Sequence, residues 1–166
     1  LEGRAQTTAQ QDQALSNIVS PGYFTTMGIP IVAGEDFVDM LDRSRPPQVI
    51  VKEELVRRYV APSDPLGRLL LNGDTSYVIA GVVKNSSYDA FGEPPTPAMF
   101  FSYRDRPRWL GEIHLRVRPG SETLLASEVQ QAVREIDASL PVYNIRTMAE
   151  HIERNLFLRK IPARMF

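Results

Sequence analysis

The chain has 166 residues, 43% of them hydrophobic, a formal net charge of −1 and no cysteine. A chain of that length buries about two-thirds of its extended surface, enough for one domain or two small subdomains. The near-zero charge, without a basic stripe, argues against nucleic acid as a partner; the lack of cysteine removes thiol catalysis, thiolate metal sites and disulfides and is compatible with an extracytoplasmic compartment; and no apolar run approaches the ~20 residues that cross a bilayer.

Residues up to Gln13 are polar, carry no periodicity and read as a lead-in. Ala14 to Val19 reads as a strand. Ser20-Pro21 predicts a helix cap with proline at the first helical position. Tyr23, Phe24 and Met27 then share one face of a short helix, and Gly28 supplies the left-handed stop. Ile29 to Ala33 is extended, with Gly34 at its end. Asp39 to Gln48 is charged and proline-bearing, a surface loop.

Val49-Ile50-Val51 is short, branched and wholly apolar, the pattern of a buried strand. Lys52 to Val60 reads as a helix that Pro62 stops. Leu69-Leu70-Leu71 and Tyr77 to Val83 flank Asn72-Gly73, a strong hairpin signal, and the gap between them predicts a turn looser than the two-residue form.

Composition shifts at 84–97, which holds three prolines among Asn, Ser, Asp and Gly and reads as a crossing between subdomains. Met99 to Tyr103 is a strand. Glu112 to Arg118 alternates, with Ile113, Leu115 and Val117 on one face, and reads as another strand. Leu125, Val129, Val133 and Ile136 recur at helical spacing. Val142 to Ile145 reads as a strand, and Thr147 with Glu150 forms a capping box for a last helix. The fold class is α/β (α+β): a mixed sheet with helices packed on it, plus a smaller strand-rich subdomain. The expected division is 14–28 with 98–158 as the α/β subdomain, 29–83 as an inserted strand-rich subdomain and 84–97 as the crossing loop.

The residues offer little chemistry. His114 lies between Glu112 and Arg116 on a polar strand face and reads as solvated; His151 follows Glu150 on a polar helix face. A small hydrolase or transferase using either histidine with a carboxylate is the rival reading, and it needs the two groups together in a concave pocket. No P-loop and no Gly-x-Ser-x-Gly elbow occurs. Glu35, Asp36, Asp39 and Asp42 lack the ligand order of a calcium loop and read as surface acid. The expectation is no catalytic residue, no cofactor and no metal. Tyr88 and Phe91, in a proline-rich loop, and Arg108 with Trp109, in a basic connection, are the candidates for a partner surface. Trp109 either touches a partner from an exposed tip or covers a sheet edge, the second being the preferred account.

Several segments together resemble one family. Ser20-Pro21-Gly22-Tyr23-Phe24, Met27-Gly28-Ile29-Pro30, Gly34-Glu35-Asp36-Phe37, Val49-Ile50-Val51, Asp64-Pro65-Leu66-Gly67 and Ile79-Ala80-Gly81-Val82-Val83 are similar to the MacB-type periplasmic core domain of ABC transporter permeases. Later segments, among them Pro97-Ala98-Met99-Phe100 and Leu140-Pro141-Val142-Tyr143, resemble MacB/FtsX-related orphan permeases with duplicated permease units, of acidobacterial type. The resemblance marks Pro21, Gly22, Tyr23, Phe24, Gly28, Gly34, Phe37, Pro65, Gly67 and Gly81 as structural motif residues.

What the resemblance implies is a non-catalytic domain on the periplasmic side of the inner membrane, set between the first two transmembrane helices of a permease unit. It implies a separate ATPase, no nucleotide bound by the domain itself, and a protein partner: another permease unit, or a periplasmic or exported protein. A free-standing interaction module is the third reading. Family members often carry Asn where this chain has Lys52, an amide that could cap the next helix, and Arg where it has Glu35. The family's first strand and helix are barely represented, so the α/β subdomain reads as incomplete, with an open sheet edge.

Overall fold

The structure is a computed structural model that describes residues 14–38, 44–86 and 95–160. The chain forms two compact units, Leu1–Leu115 and Arg116–Phe166.

The first unit is built on one six-stranded mixed sheet. Its strands are β1 (Leu15–Val19), β2 (Ile31–Gly34), β3 (Gln48–Lys52), β4 (Leu69–Asn72), β5 (Thr75–Val83) and β6 (Ala98–Ser102). Their order is β1-β6-β3-β5-β2, with β4 also paired to β5. The β1–β6 and β3–β5 pairs are parallel; β3–β6, β2–β5 and β4–β5 are antiparallel. Because β6 bonds to both β1 and β3, the segments expected in two lobes share one hydrogen-bonded sheet. Of the expected crossing, 87–94 lies outside the described residues.

The apolar run of β3 explains its central place. Val49 and Val51 face one side and join Leu55, Val60, Leu70, Tyr77, Ile79, Val82 and Phe101 in a buried cluster. Ile50 faces the other and joins Val19, Phe24, Phe37, Val83, Ala98 and Phe100. A strand buried on both faces needs no polar alternation. Helix α2 (Glu53–Tyr59) covers the first face through Leu55, and α1 (Tyr23–Met27) covers the second through Phe24.

Local details depart from the sequence reading. Helix α1 starts at Tyr23, later than Ser20-Pro21 predicts, with Gly22 as its cap at φ 82°. Gly28 ends it at φ 69°. The β4–β5 connection is tighter than expected: Asn72 pairs with Thr75, leaving only Gly73 and Asp74 in the turn, and Gly73 adopts φ 61°. Glycine meets the positive φ of such a turn without steric cost.

The second unit contains α3 (Glu122–Ile136) and α4 (Met148–Lys160). Thr147 and Glu150 form the reciprocal cap of α4: the Thr147 N–H donates to Glu150 Oε2 at 2.7 Å, and the Glu150 N–H donates to Thr147 Oγ1 at 3.2 Å. The expected strands at 112–118 and 142–145 are not formed. Alternation states which face a strand would bury, but a strand also requires a neighbour that exchanges backbone hydrogen bonds. Ile113, Leu115, Tyr143 and Ile145 are all exposed.

Candidate functional site

Four of the sequence motifs converge on one junction in the first unit. Asp36 Oδ2 accepts the Gly22 N–H at 3.0 Å, and Asp36 Oδ1 accepts the Phe37 N–H at 2.7 Å. Asp36, expected to be surface acid, thus ties the Pro21-Gly22 turn to the Gly34–Phe37 segment. The aromatic side chains continue that tie: Phe24 stands edge-on to Phe100 at 5.1 Å and 6.5 Å from Phe37. Tyr23, half-buried, stands edge-on to Phe24 at 5.4 Å.

Gly34 and Gly81 are required by close approach. A Cβ on Gly34 would lie 2.2 Å from the Ala80 carbonyl oxygen and 2.8 Å from Leu66 Cδ2. A Cβ on Gly81 would lie 2.7 Å from the Glu35 carbonyl oxygen. The Pro65–Gly67 turn closes the junction, since the Gly67 N–H donates to Ile79 O at 2.9 Å and the Ile79 N–H returns to Arg68 O at 2.9 Å. Pro65 is half-buried, and its carbonyl accepts the Arg68 N–H at 3.3 Å. These residues hold backbone in place and present no group with a chemical task.

A second polar cluster lies at the start of α2. Lys52 holds the cap position without a side-chain cap of its own. Its side chain is buried, and Nζ donates to Ser86 O at 2.8 Å. The missing cap comes from another segment: Asn85 Oδ1 accepts the Glu54 N–H at 2.9 Å, and Glu53 Oε2 accepts the Asn85 N–H at 3.0 Å. The exchange is reciprocal, as in a capping box, but it is made across 32 residues and shared between Glu53 and Glu54 rather than returned by one residue. Glu54 is buried, and the Arg57 guanidinium forks onto it at 2.6 and 2.8 Å, with Arg58 Nε on the same oxygen. Hydrogen bonds from Arg57, opposed by burial and reinforced by Arg58, pull the Glu54 carboxyl down to about 2. The charge of Glu35, after Gly34, meets Arg45 Nη1 at 3.0 Å.

The candidate partner loop follows β6. Arg104 forks onto Asp105 at 2.7 and 3.0 Å and reaches Pro46 O at 3.0 Å, while Asp105 Oδ2 accepts the Gln48 N–H at 2.9 Å. The Arg106 guanidinium lies 4.5 Å over the Phe101 ring, and the Tyr103 hydroxyl donates to Arg108 O. The base of the loop is thereby pinned to the sheet. At its tip, Arg108, Trp109 and Leu110 are exposed. Trp109 does not cover a sheet edge: its side chain is fully in solvent. Tyr88 and Phe91 lie outside the described residues.

His114 differs from the expected solvated histidine. It is half-buried, with its ring edge-on to Tyr23 at 5.9 Å and Nε2 3.8 Å from Glu112 Oε2. The Glu112 side chain is itself largely exposed. His151 sits in the first turn of α4, where its N–H donates to Thr147 O at 3.0 Å. Among the described residues, no group of three or more His, Asp or Glu side chains is placed to hold a metal.

Residues 2–136 match the family of MacB-like periplasmic core domains. The chain belongs to the MacB-like periplasmic core domain family. It is an extracytoplasmic, non-catalytic domain of the ABC-permease type, and no helix among the described residues is long and apolar enough to cross a membrane. Two solved structures are similar to this MacB-like domain. The extracellular domain of the noncanonic ABC-type transporter YknZ from Gram-positive bacteria aligns with a TM-score of 0.57 at 13% identity, over 85% of this chain and 74% of that one. The periplasmic region of MacB from Actinobacillus actinomycetemcomitans aligns with a TM-score of 0.49 at 16% identity, over 70% of this chain and 54% of that one. The MacB-like domain thus spans about half the length of the MacB region it matches. Comparison with curated proteins finds no match.

Sequence reasoning missed the roles of Asp36, Asn85 and Glu54. Each acts on a backbone group at least 14 residues away or from burial that local spacing does not announce.

Proposed function

We propose that this domain engages a protein partner outside the membrane and relays that engagement to the permease that carries it. The partner is a second permease unit or a periplasmic or exported protein. The contact surface consists of Arg108 and Trp109 on the loop after β6, with Tyr88 and Phe91 from the connection before it. The observation that carries the reading is the exposed Trp109 on a loop whose base is fixed by Arg104, Asp105 and the Tyr103–Arg108 hydrogen bond. An exposed, preorganised aromatic beside an arginine is the composition of an interface anchor, because it contributes large apolar area at low ordering cost.

The test is made in the full-length permease. Trp109→Ala with Tyr88→Ala should lower transport-linked ATP hydrolysis stimulated by the partner while leaving the domain's unfolding midpoint unchanged. Unaltered activity in the double variant overturns the surface assignment. Calorimetric titration of the domain with ATP should give no saturable heat at micromolar nucleotide.

A further inference from the structure

The two ends of the β5–β6 connection both meet α2. At the leading end, Asn85 caps the helix by accepting the Glu54 N–H, Glu53 returns a bond to the Asn85 N–H, and Lys52 holds Ser86 O. At the trailing end, Arg58 Nη2 donates to Pro95 O at 3.3 Å. Arg58 is itself held by the Glu54 carboxylate through Nε. Glu54 therefore reaches both ends, one through its backbone N–H and one through its side chain.

We propose that α2 is a brace that latches both ends of the β5–β6 connection, with Glu54 as the anchor common to the two latches. The helix suits the role. It has only two turns, it is packed on the sheet through the buried Leu55, and its first and last turns face different ends of the same connection. An isolated helix of that length would not hold its shape in water. Here the sheet supplies its rigidity, and the long-range cap supplies its N-terminal hydrogen bonds. The latches differ in kind. The leading one is a neutral amide cap supported by a buried ammonium, and the trailing one is a guanidinium positioned by a buried carboxylate. They are separable by substitution because Glu54→Gln keeps the backbone N–H that Asn85 uses and removes the charge that positions Arg58.

The brace stands independently of the partner reading, and it rests on that reading only for what it positions, since the connection carries Tyr88 and Phe91. Hydrogen exchange followed by mass spectrometry on the full chain tests it. Asn85→Ala should speed exchange about fivefold in peptides covering 84–86, and leave 95–98 unchanged. Glu54→Gln should do the reverse, speeding 95–98 about fivefold with 84–86 unchanged. If Glu54→Gln does not fold, Arg58→Ala removes the trailing latch from the helix surface and should give the same pattern. The Asn85→Ala, Arg58→Ala double variant should combine the two effects and speed exchange in both 84–86 and 95–98. Unchanged exchange at both ends overturns the brace, and so does a uniform rise that includes β3 and β5. Intact latches with no effect of Tyr88→Ala on the permease would instead sink the partner reading alone.

Discussion

Asp36 accepts the N–H of Gly22 at 3.0 Å, so a carboxylate after β2 fixes the turn that launches α1. The same carboxylate accepts the Phe37 N–H and thereby sets Phe37 on the buried cluster that contains Phe24. Asp36→Ala should cost about 1–2 kcal/mol, the lower range for a hydrogen bond to a charged acceptor at a site open to water. Asp36→Asn keeps one acceptor for the two N–H groups and turns its NH2 donor toward the other, so it should recover only part of that loss. Urea unfolding measures both variants, and an Asp36→Asn variant as stable as the parent beside a destabilised Asp36→Ala would show that the bonds contribute nothing beyond side-chain volume.

Phe24 and Trp109 are expected at opposite ends of the stability scale. Phe24 is fully buried between the sheet and Phe37, and Phe24→Ala should cost about 3–5 kcal/mol through lost burial and the cavity left behind. Trp109 is fully exposed, and Trp109→Ala should fall within about 0.5 kcal/mol of the parent. Denaturant midpoints at constant m-value measure both. A loss above about 1 kcal/mol for Trp109→Ala would place that ring against the protein rather than in solvent.

Gly34 and Gly73 both adopt positive φ but differ in their surroundings. At Gly73 nothing lies within 4 Å of an added Cβ, so Gly73→Ala should cost about 1–2 kcal/mol from the left-handed backbone alone. At Gly34 the added carbon would strike the Ala80 carbonyl, and the backbone of β5 would have to shift. Gly34→Ala should therefore cost at least about 3 kcal/mol, the backbone and overpacking costs together. Thermal melts of the pair would contradict this if the two variants lost the same amount.

The parts of this fold that were legible in the sequence are those decided within a few residues. Val49-Ile50-Val51 predicts a strand buried on both faces because an uninterrupted branched run has no polar side to offer. Gly28 and the Thr147–Glu150 box mark helix ends because their geometry is local. The alternation of Ile113, Leu115 and Val117 misleads for the complementary reason. It describes a face without a partner strand, and strand formation is decided by the partner. Lys52, read with its sequence neighbours alone, predicts a lost helix cap. The cap is present, contributed by Asn85 from the end of β5, and no spacing rule reaches across that distance. The candidate surface was legible only in its composition. An aromatic among arginines at Arg106–Trp109 reads more readily as a covered edge than as an exposed tip, and the full exposure of the Trp109 side chain in the folded unit overturns that reading.

Acid sensitivity should centre on Glu54. Hydrogen bonds from Arg57, working against burial and assisted by Arg58, lower its folded carboxyl to about 2 from an ordinary value of 4.5. A folded value below the unfolded one means that the unfolded chain binds the proton more readily. The resulting stabilisation is complete above about pH 4.5 and is lost as pH falls toward 2. Glu54→Gln should remove that part of the acid limb: stability measured from pH 5 to pH 2.5 should decline less steeply in the variant, although the variant starts lower at pH 7. Arg57→Ala removes the largest single cause and should move the limb to higher pH, because the remaining Arg58 contact holds the carboxyl down less strongly. Urea midpoints at half-unit pH steps resolve the two effects. Parallel profiles for the parent and Glu54→Gln would show that other carboxylates, and not the brace, set the acid limit.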